Sequence, residues 1–314
     1  MAIGIGATGV LGLAIETTRG TYVAATKWVP IRSESITVSQ EMNYRRNIRG
    51  IADPETPQQG NLTYEGDIEF EAYPDVLPYF FKAMRTSEAK TGSGDPIQYV
   101  YTPTHGALSG ESLSLYVERN AIRFGYSGVT VTGMAFTVTD GILICTATVS
   151  CLAEAQPSVE SDSYSNETPF YTGTFSVEIP DSSAVTDMDN FSWSVTEGGS
   201  INHRLDGSTN PASITMGERT VACSMDRDFD SRADLDLFEL ATATSLTIIG
   251  SYTSSGGYAR YLKLEMPVAS METYDVNLGG QGDIVRASIN YTGSYSAGVA
   301  GAYRATVRTE EDIS

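Results

Sequence analysis

The sequence predicts a mainly β fold built twice over, with one flanking helix in each half. Three observations predict it. Period-two alternation rich in Val, Ile, Thr, Tyr and Phe, bounded by Gly, Asp and Ser clusters, fills most of the chain. Only two stretches carry helical spacing. The order of elements repeats across 314 residues, a length beyond the roughly 250 residues at which single cores tend to divide. With 41% hydrophobic and 19% charged residues, the chain has enough apolar surface to offset the entropy of ordering.

In the first half, the strand at 35–39 (SITVS) leads into a long polar segment at 40–60, and a second strand follows at 61–71. Residues 75–85 are predicted as helix, because Val76, Leu77, Phe80, Phe81 and Met84 share one face and Pro74 and Asp75 supply starting signals. Strands at 112–117, 128–138 and 142–150 close the half. Thr139-Asp140-Gly141 joins the last two as a tight hairpin, since Asp-Gly tolerates positive φ. Residues 156–169 hold two prolines, several acids and almost no aliphatics, the composition of a linker. In the second half, strands at 175–179 and 191–195 precede a polar segment at 196–216 and a strand at 218–225. A helix at 231–243 presents Leu237, Phe238, Leu240 and Ala241 on one face, with Asp230 or Ser231 as N-cap and Asp234 in its first turn. Strands at 262–266, 268–277 and 284–292 follow. The matching order and spacing predict an internal duplication, with a first domain over 1–155, a linker over 156–169 and a second domain over 170–314.

Charge and motif chemistry exclude several classes of function. Lys and Arg number 20 against 39 Asp and Glu, a net charge of −19, whereas nucleic-acid binders neutralise phosphates with cations. The acidity is uneven: 11 basic and 15 acidic residues lie in 1–150, against 9 and 24 in 151–314. No run approaches the roughly 18 apolar residues of a membrane span, and the opening MAIGIGATGVLGLAIE lacks the basic region of a signal peptide; a soluble chain without an export signal is expected. Cys145 and Cys151, six apart on one strand, would lie about 20 Å from each other, so Cys145, Cys151 and Cys223 are expected as reduced thiols. His105 and His203 sit in polar stretches without a nucleophile or metal-ligand motif. Gly4-Ile5-Gly6-Ala7-Thr8-Gly9 matches a dinucleotide fingerprint in letters, but no strand precedes it, and an N-terminal arm is expected in its place. Asp226, Asp228 and Asp230 have the first spacings of a calcium loop, yet Ser231 and Leu237 replace its Gly and Glu. A strand end followed by a helix cap is the expectation there.

Two features point to assembly. Alternation puts Glu65, Asp67, Glu69 and Glu71 on one face of a strand and Tyr64, Ile68 and Phe70 on the other. Four carboxylates about 6.8 Å apart form a solvated outer face in a monomer; repeated around an axis, they would line an anionic bore. Segment 40–60 is too long for an ordinary connection and carries Tyr44, Arg45, Arg46, Ile48 and Arg49, with guanidiniums suited to carboxylates on another copy. Its counterpart at 196–216 carries His203 and Arg204.

The text from Glu16 to Ala24 (ETTRGTYVA), then Trp28 to Ile36 (WVPIRSESI), then Tyr44 to Gly50 (YRRNIRG) resembles the major tail tube proteins of long-tailed, non-contractile bacteriophages. Residues 60–71, the helix at 75–85 and the strands at 112–141 continue the resemblance; the second half follows it only in pattern. The resemblance implies two tandem tail-tube-like β-sandwich or β-barrel domains, each with a flanking helix, assembled into stacked rings of six domains. Two domains per chain would make a homotrimer with pseudo-sixfold symmetry; one would make a homohexamer. It further implies Glu65, Asp67, Glu69 and Glu71 in the lumen, and residues 4–20, Tyr44, Arg45, Arg46, Ile48, Arg49, His203 and Arg204 between rings. The expected role is a structural, non-enzymatic virion protein, assembled in the host cytoplasm without cofactor or metal. Its expected partners are itself, other tail proteins and phage DNA, which passes without specific binding. A receptor- or glycan-binding β-sandwich is the competing expectation.

Overall fold

The computed structural model describes residues 9–45, 47–48, 52–53, 55–106, 111–120, 122–179, 184–229, 232–278 and 283–313. Residues 4–8 of the glycine motif, Arg46 and Arg49 of the long segment, and the caps Asp230 and Ser231 lie outside the described residues. The first half runs β1 (Val10–Ile15), β2 (Lys27–Val29), β3 (Ile31–Glu34), β4 (Thr37–Asn43), β5 (Gln58–Glu71), helix α1 (Leu77–Lys82), β6 (Thr86–Thr91), β7 (Ile97–Pro103), β8 (Leu113–Arg119), β9 (Ile122–Thr139), β10 (Ile142–Cys151) and β11 (Ala153–Ala155). The second runs β12 (Phe175–Glu178), β13 (Ala184–Val185), β14 (Met188–Asn202), β15 (Ser213–Asp228), helix α2 (Ala233–Glu239), β16 (Thr244–Thr253), β17 (Ala259–Asn277), β18 (Arg286–Gly293) and β19 (Arg304–Thr309). The fold is mainly β, an open antiparallel sheet with two short helices.

The Asp140-Gly141 hairpin forms as predicted: both residues have positive φ, 52° and 78°, and Thr139 faces Ile142 across the turn. Helix α1 is shorter than its apolar spacing suggested, but it is core. Its first five residues are buried, Phe80 stacks on Phe70 at 4.7 Å, and Phe81 stacks on Tyr101 at 5.4 Å. Asp75 does not cap it; the carboxylate is fully buried and takes an ion pair from Lys27 at 2.6 Å. Helix α2 differs from its counterpart: no residue of it is buried, Phe238 rests on Tyr274 at 6.2 Å, and Leu240 is 75% exposed.

Three expectations change. Segment 196–216 is largely strand, because its short Ser, Thr and Asn side chains pair across the β14–β15 hairpin as far as Asn202 and Ser213. Segment 40–60 likewise begins and ends in the β4–β5 ladder. Residues 10–15, expected within an N-terminal arm, form β1 between β2 and β8, with Leu11 and Leu13 fully buried.

The halves meet through two ladders. β9 pairs with β14, and the last strand, β19, pairs back onto β7. The apolar residues of both halves join one cluster, with Phe136 against Trp193 at its middle. Segment 156–169 lies without regular structure along this body, held where Glu160 accepts from Tyr22 (2.9 Å) and Ala25 N–H (2.7 Å) and where Glu167 accepts from Arg260 Nε (2.9 Å) and Tyr252 (3.0 Å).

Buried phenols make this fold alkali-sensitive. Burial pushes Tyr99 and Tyr116 up to about 12, and raises Tyr101, Tyr291 and Tyr303 as well. The unfolded phenol titrates near 10, so the native state holds its protons longer than the unfolded state does. Stability from these residues is complete below about pH 10 and falls as pH rises toward about 12. Thermal melts across this range are expected to show a steep decline in melting temperature; a flat profile would contradict it.

Candidate functional site

In β5, Tyr64, Ile68 and Phe70 are buried, Glu65 and Asp67 are exposed, and Glu69 and Glu71 are half-buried, so the four carboxylates do share one face. At this spacing each neighbouring pair repels by about 0.6 kcal/mol in water. Each acid has a donor that offsets this. Ser150 Oγ donates to Glu65 at 3.1 Å, Thr148 Oγ1 to Asp67 at 2.7 Å, and Tyr73 OH to Glu71 at 2.9 Å, while Arg32 Nε lies 3.5 Å from Glu69.

The acid strand is one member of a wide polar surface. β3 and β4 continue each other along β5, and the order from there is β5, β10, β9, β14, β15, β18 and the C-terminal part of β17. Successive ladders align Glu69, Thr146, Ala135, Ser194, Ala222, Thr292 and Ser270 in one row. The next row holds Glu71, Ile144, Thr137, Ser192, Ser224, Asn290 and Thr273. Apart from the acids and Ile144, these side chains are short and most are polar. Residues of opposite parity on the same strands, among them Phe136, Trp193, Cys223 and Ile289, are buried. The pleat thus separates an apolar core side from a surface of mostly hydroxyls, amides and carboxylates.

A second acidic group lies on β15, two strands in from the β17 edge of this face. Counting from the β-bulges at Thr132 in β9 and Glu272 in β17, the ladder registers give Asp226 and Asp228 the same places relative to their neighbours as Glu69 and Glu71. The Asp226, Asp228 spacing that matched a calcium loop lies at the end of strand β15. Ser288 donates to Asp226, and Arg286 reaches Asp189 at 2.5 Å and Asp228 at 3.7 Å. No cluster of three or more His, Cys, Asp or Glu suited to a metal ion occurs among the described residues.

Of the residues expected between rings, Tyr44, Arg45, Ile48, His203 and Arg204 lie toward the ends of the two long hairpins. Leu62 N–H donates to Thr209 O at 2.8 Å and Tyr64 OH to Asn210 at 3.0 Å, which sets the β4–β5 hairpin beside the loop of the β14–β15 hairpin. Tyr44, Arg45, Ile48 and Arg204 are exposed there, and so is Leu205, which the sequence reading passed over. His203 instead lines a cleft with Ser39, Glu41, Asn61 and Thr63.

Sequence reasoning also missed a buried charge cluster. Glu197, with no exposed side chain, sits between Arg219, whose Nε donates to it at 2.5 Å, and Arg85, whose Nε lies 3.1 Å away. Glu197 falls within the stretch 196–216 read as a polar segment, where no alternation marks the inward residue.

His105 Nε2 lies 2.9 Å from a backbone carbonyl oxygen, that of Ala300, and its ring meets the edge of Tyr295. The three cysteines are free and buried, and burial pushes the Cys223 thiol up to about 12. No described helix is long and apolar enough to cross a membrane.

No curated protein matches the chain. A family model described as phage tail tube protein matches residues 6–298, a span that contains both hairpins, both helices and every strand of the polar face. The protein accordingly belongs to the phage tail tube protein family, and is a structural subunit of a virion tail.

Proposed function

We propose that copies of this chain close into rings that stack into a tube, with the polar face turned inward to conduct phage DNA from capsid to host. The observation that carries the reading is the polar sheet itself: one side buried as core, the other paved with short polar side chains and flanked by acids, in a chain built to assemble. DNA carries one negative charge per about 1.7 Å. The cations beside this face, Arg32 and Arg286, are each paired with its acids, so carboxylates and hydroxyls predominate on the wall and the DNA passes without specific binding. Each half supplies four strand positions to the sheet, which favours three chains per ring, a homotrimer with pseudo-sixfold symmetry, over six. The hairpin ends bearing Tyr44, Arg45, Arg46, Ile48, Arg49, His203 and Arg204 meet the adjacent ring. The protein performs no reaction and uses no cofactor; its partners are its own copies, other tail proteins and transiting DNA, and assembly takes place in the host cytoplasm.

Negative-stain microscopy of the purified protein is expected to show hollow rods or stacked rings; a dispersed monomer across concentrations and salts would refute the reading. The quadruple variant Glu65→Gln, Asp67→Asn, Glu69→Gln, Glu71→Gln keeps hydrogen-bonding capacity and removes four charges. Tubes are expected to form from it while DNA ejection slows. Unchanged ejection would remove this face from DNA passage.

A further inference from the structure

The polar sheet has two open edges, and the chain contains a template for how they join. At one end β4 pairs only with β5 among the described strands, and all seven of its residues, Thr37–Asn43, are exposed. At the other end, residues 271–277 of β17 pair only with β18. Long uncovered edges are sites for another strand. The template is the β9–β14 joint, where the halves of one chain meet edge to edge.

Superposing the halves on their two bulges matches β9 with the end of β17, Gly133 falling on Thr273 and Ala135 on Asp275. The same operation matches β14 with β4, Ser194 falling on Thr37 and Thr196 on Ser39. Inside the chain, Ser194 faces Ala135 and Thr196 faces Gly133. We infer that β17 of one copy pairs antiparallel with β4 of the next in this same register, Asp275 opposite Thr37 and Thr273 opposite Ser39.

Burial supports the assignment independently. At the internal joint the core-side pair Val195 and Met134 is 1% and 2% exposed. Their counterparts at the open edges are Val38, 53% exposed, and Tyr274, half-buried. The helices agree: five residues of α1 are buried, whereas its counterpart α2 has none, with Leu237 and Phe238 only half-buried. Both shortfalls are what an absent neighbour leaves. The occupant is a second copy, since the edge that fits each end is the other end of the same sheet. This inference rests on the ring reading and adds its strand register.

Cysteine pairs test the register. Directly opposed residues place their Cβ atoms about 4.5–5.5 Å apart, within reach of a disulfide after small adjustment; residues four positions out of register lie about 13 Å apart along the strand. The native cysteines are buried and do not compete. Tubes of Thr37→Cys, Asp275→Cys protein are expected to cross-link under mild oxidation into a covalent ladder that stops at three chains, and tubes of Ser35→Cys, Thr273→Cys protein are expected to remain uncross-linked. Tubes in which the first pair stays unlinked, or the second links equally, would overturn the register while leaving the ring intact. Absence of rings from wild-type protein would instead overturn the ring. As a second readout, Val38→Asp is expected to leave the melting temperature of the isolated subunit unchanged and to weaken assembly at least about tenfold, because the joint buries an unpaired charge; assembly equal to wild type would overturn the inference.

Discussion

Replacing Glu197 by alanine is expected to cost about 3–5 kcal/mol of folding stability, the range found when one partner of a buried ion pair is removed and the other is stranded. Here two guanidiniums would be stranded. Arg85 and Arg219 are themselves nearly buried, and both also donate to carbonyl oxygens: Arg85 to Met216 and Gly217, Arg219 to Arg85 and Thr104. The Arg219 guanidinium also lies 5.8 Å over the Tyr303 ring. The cluster ties the end of α1, in the first half, to the bulge that bends β14 against β15 in the second. Denaturant unfolding should show the loss as a lower midpoint. The triple variant Arg85→Met, Glu197→Leu, Arg219→Met is expected to recover most of it, because apolar residues of similar volume remove the desolvation cost together with the attraction. A change below about 1 kcal/mol in the alanine variant would show that water reaches the cluster.

That carboxylate marks the limit of what the sequence made legible. Period-two alternation identified β5 and its acid stripe because that strand lies with one side on the core and the other open, the condition under which a strand writes its orientation into its residues; β9 and β10, buried along most of their length, were legible from their β-branched and aromatic content. The Asp-Gly turn and the two helices were equally plain, since each depends on local chemistry. β1 was missed for the opposite reason: buried between β2 and β8, Val10–Ile15 is an apolar run without alternation, and the glycines before it suggested an arm. The stems of the long hairpins were missed because Ser, Thr and Asn on both sides leave no pattern to read. Of the site, the acids on β5 and the arginine-bearing segment were visible. The second acid pair, Asp226 and Asp228, was visible only as a failed calcium motif, because its meaning depends on a superposition of the halves through their bulges that no linear reading supplies.

The hairpin ends carry the other large effect. Ile48 and Leu205 are fully exposed, at 106% and 109%, on neighbouring hairpin loops, with Tyr44 55% exposed nearby. Full burial of an aliphatic side chain is worth about 1.5–3 kcal/mol, and a ring presents these loops once per chain, so the contributions act together as linked contacts between two rings. The variant Ile48→Asp, Leu205→Asp is therefore expected to fold normally, since neither side chain touches the core, and to form single rings that do not stack into rods. Reversing Arg45, Arg46 and Arg49 to Glu is expected to have the same outcome by a different route: in a chain of net charge −19, the proposed stacking sets those cations against acidic surface on the adjacent ring, and their reversal would leave like charges facing each other. High salt separates the two contributions. Screening should restore part of the stacking in the charge-reversed protein by weakening repulsion, and should do less for the aspartate pair, where the missing attraction is apolar. Rods of wild-type length from both variants would remove these loops from tube assembly and place the contact between rings elsewhere on the chain.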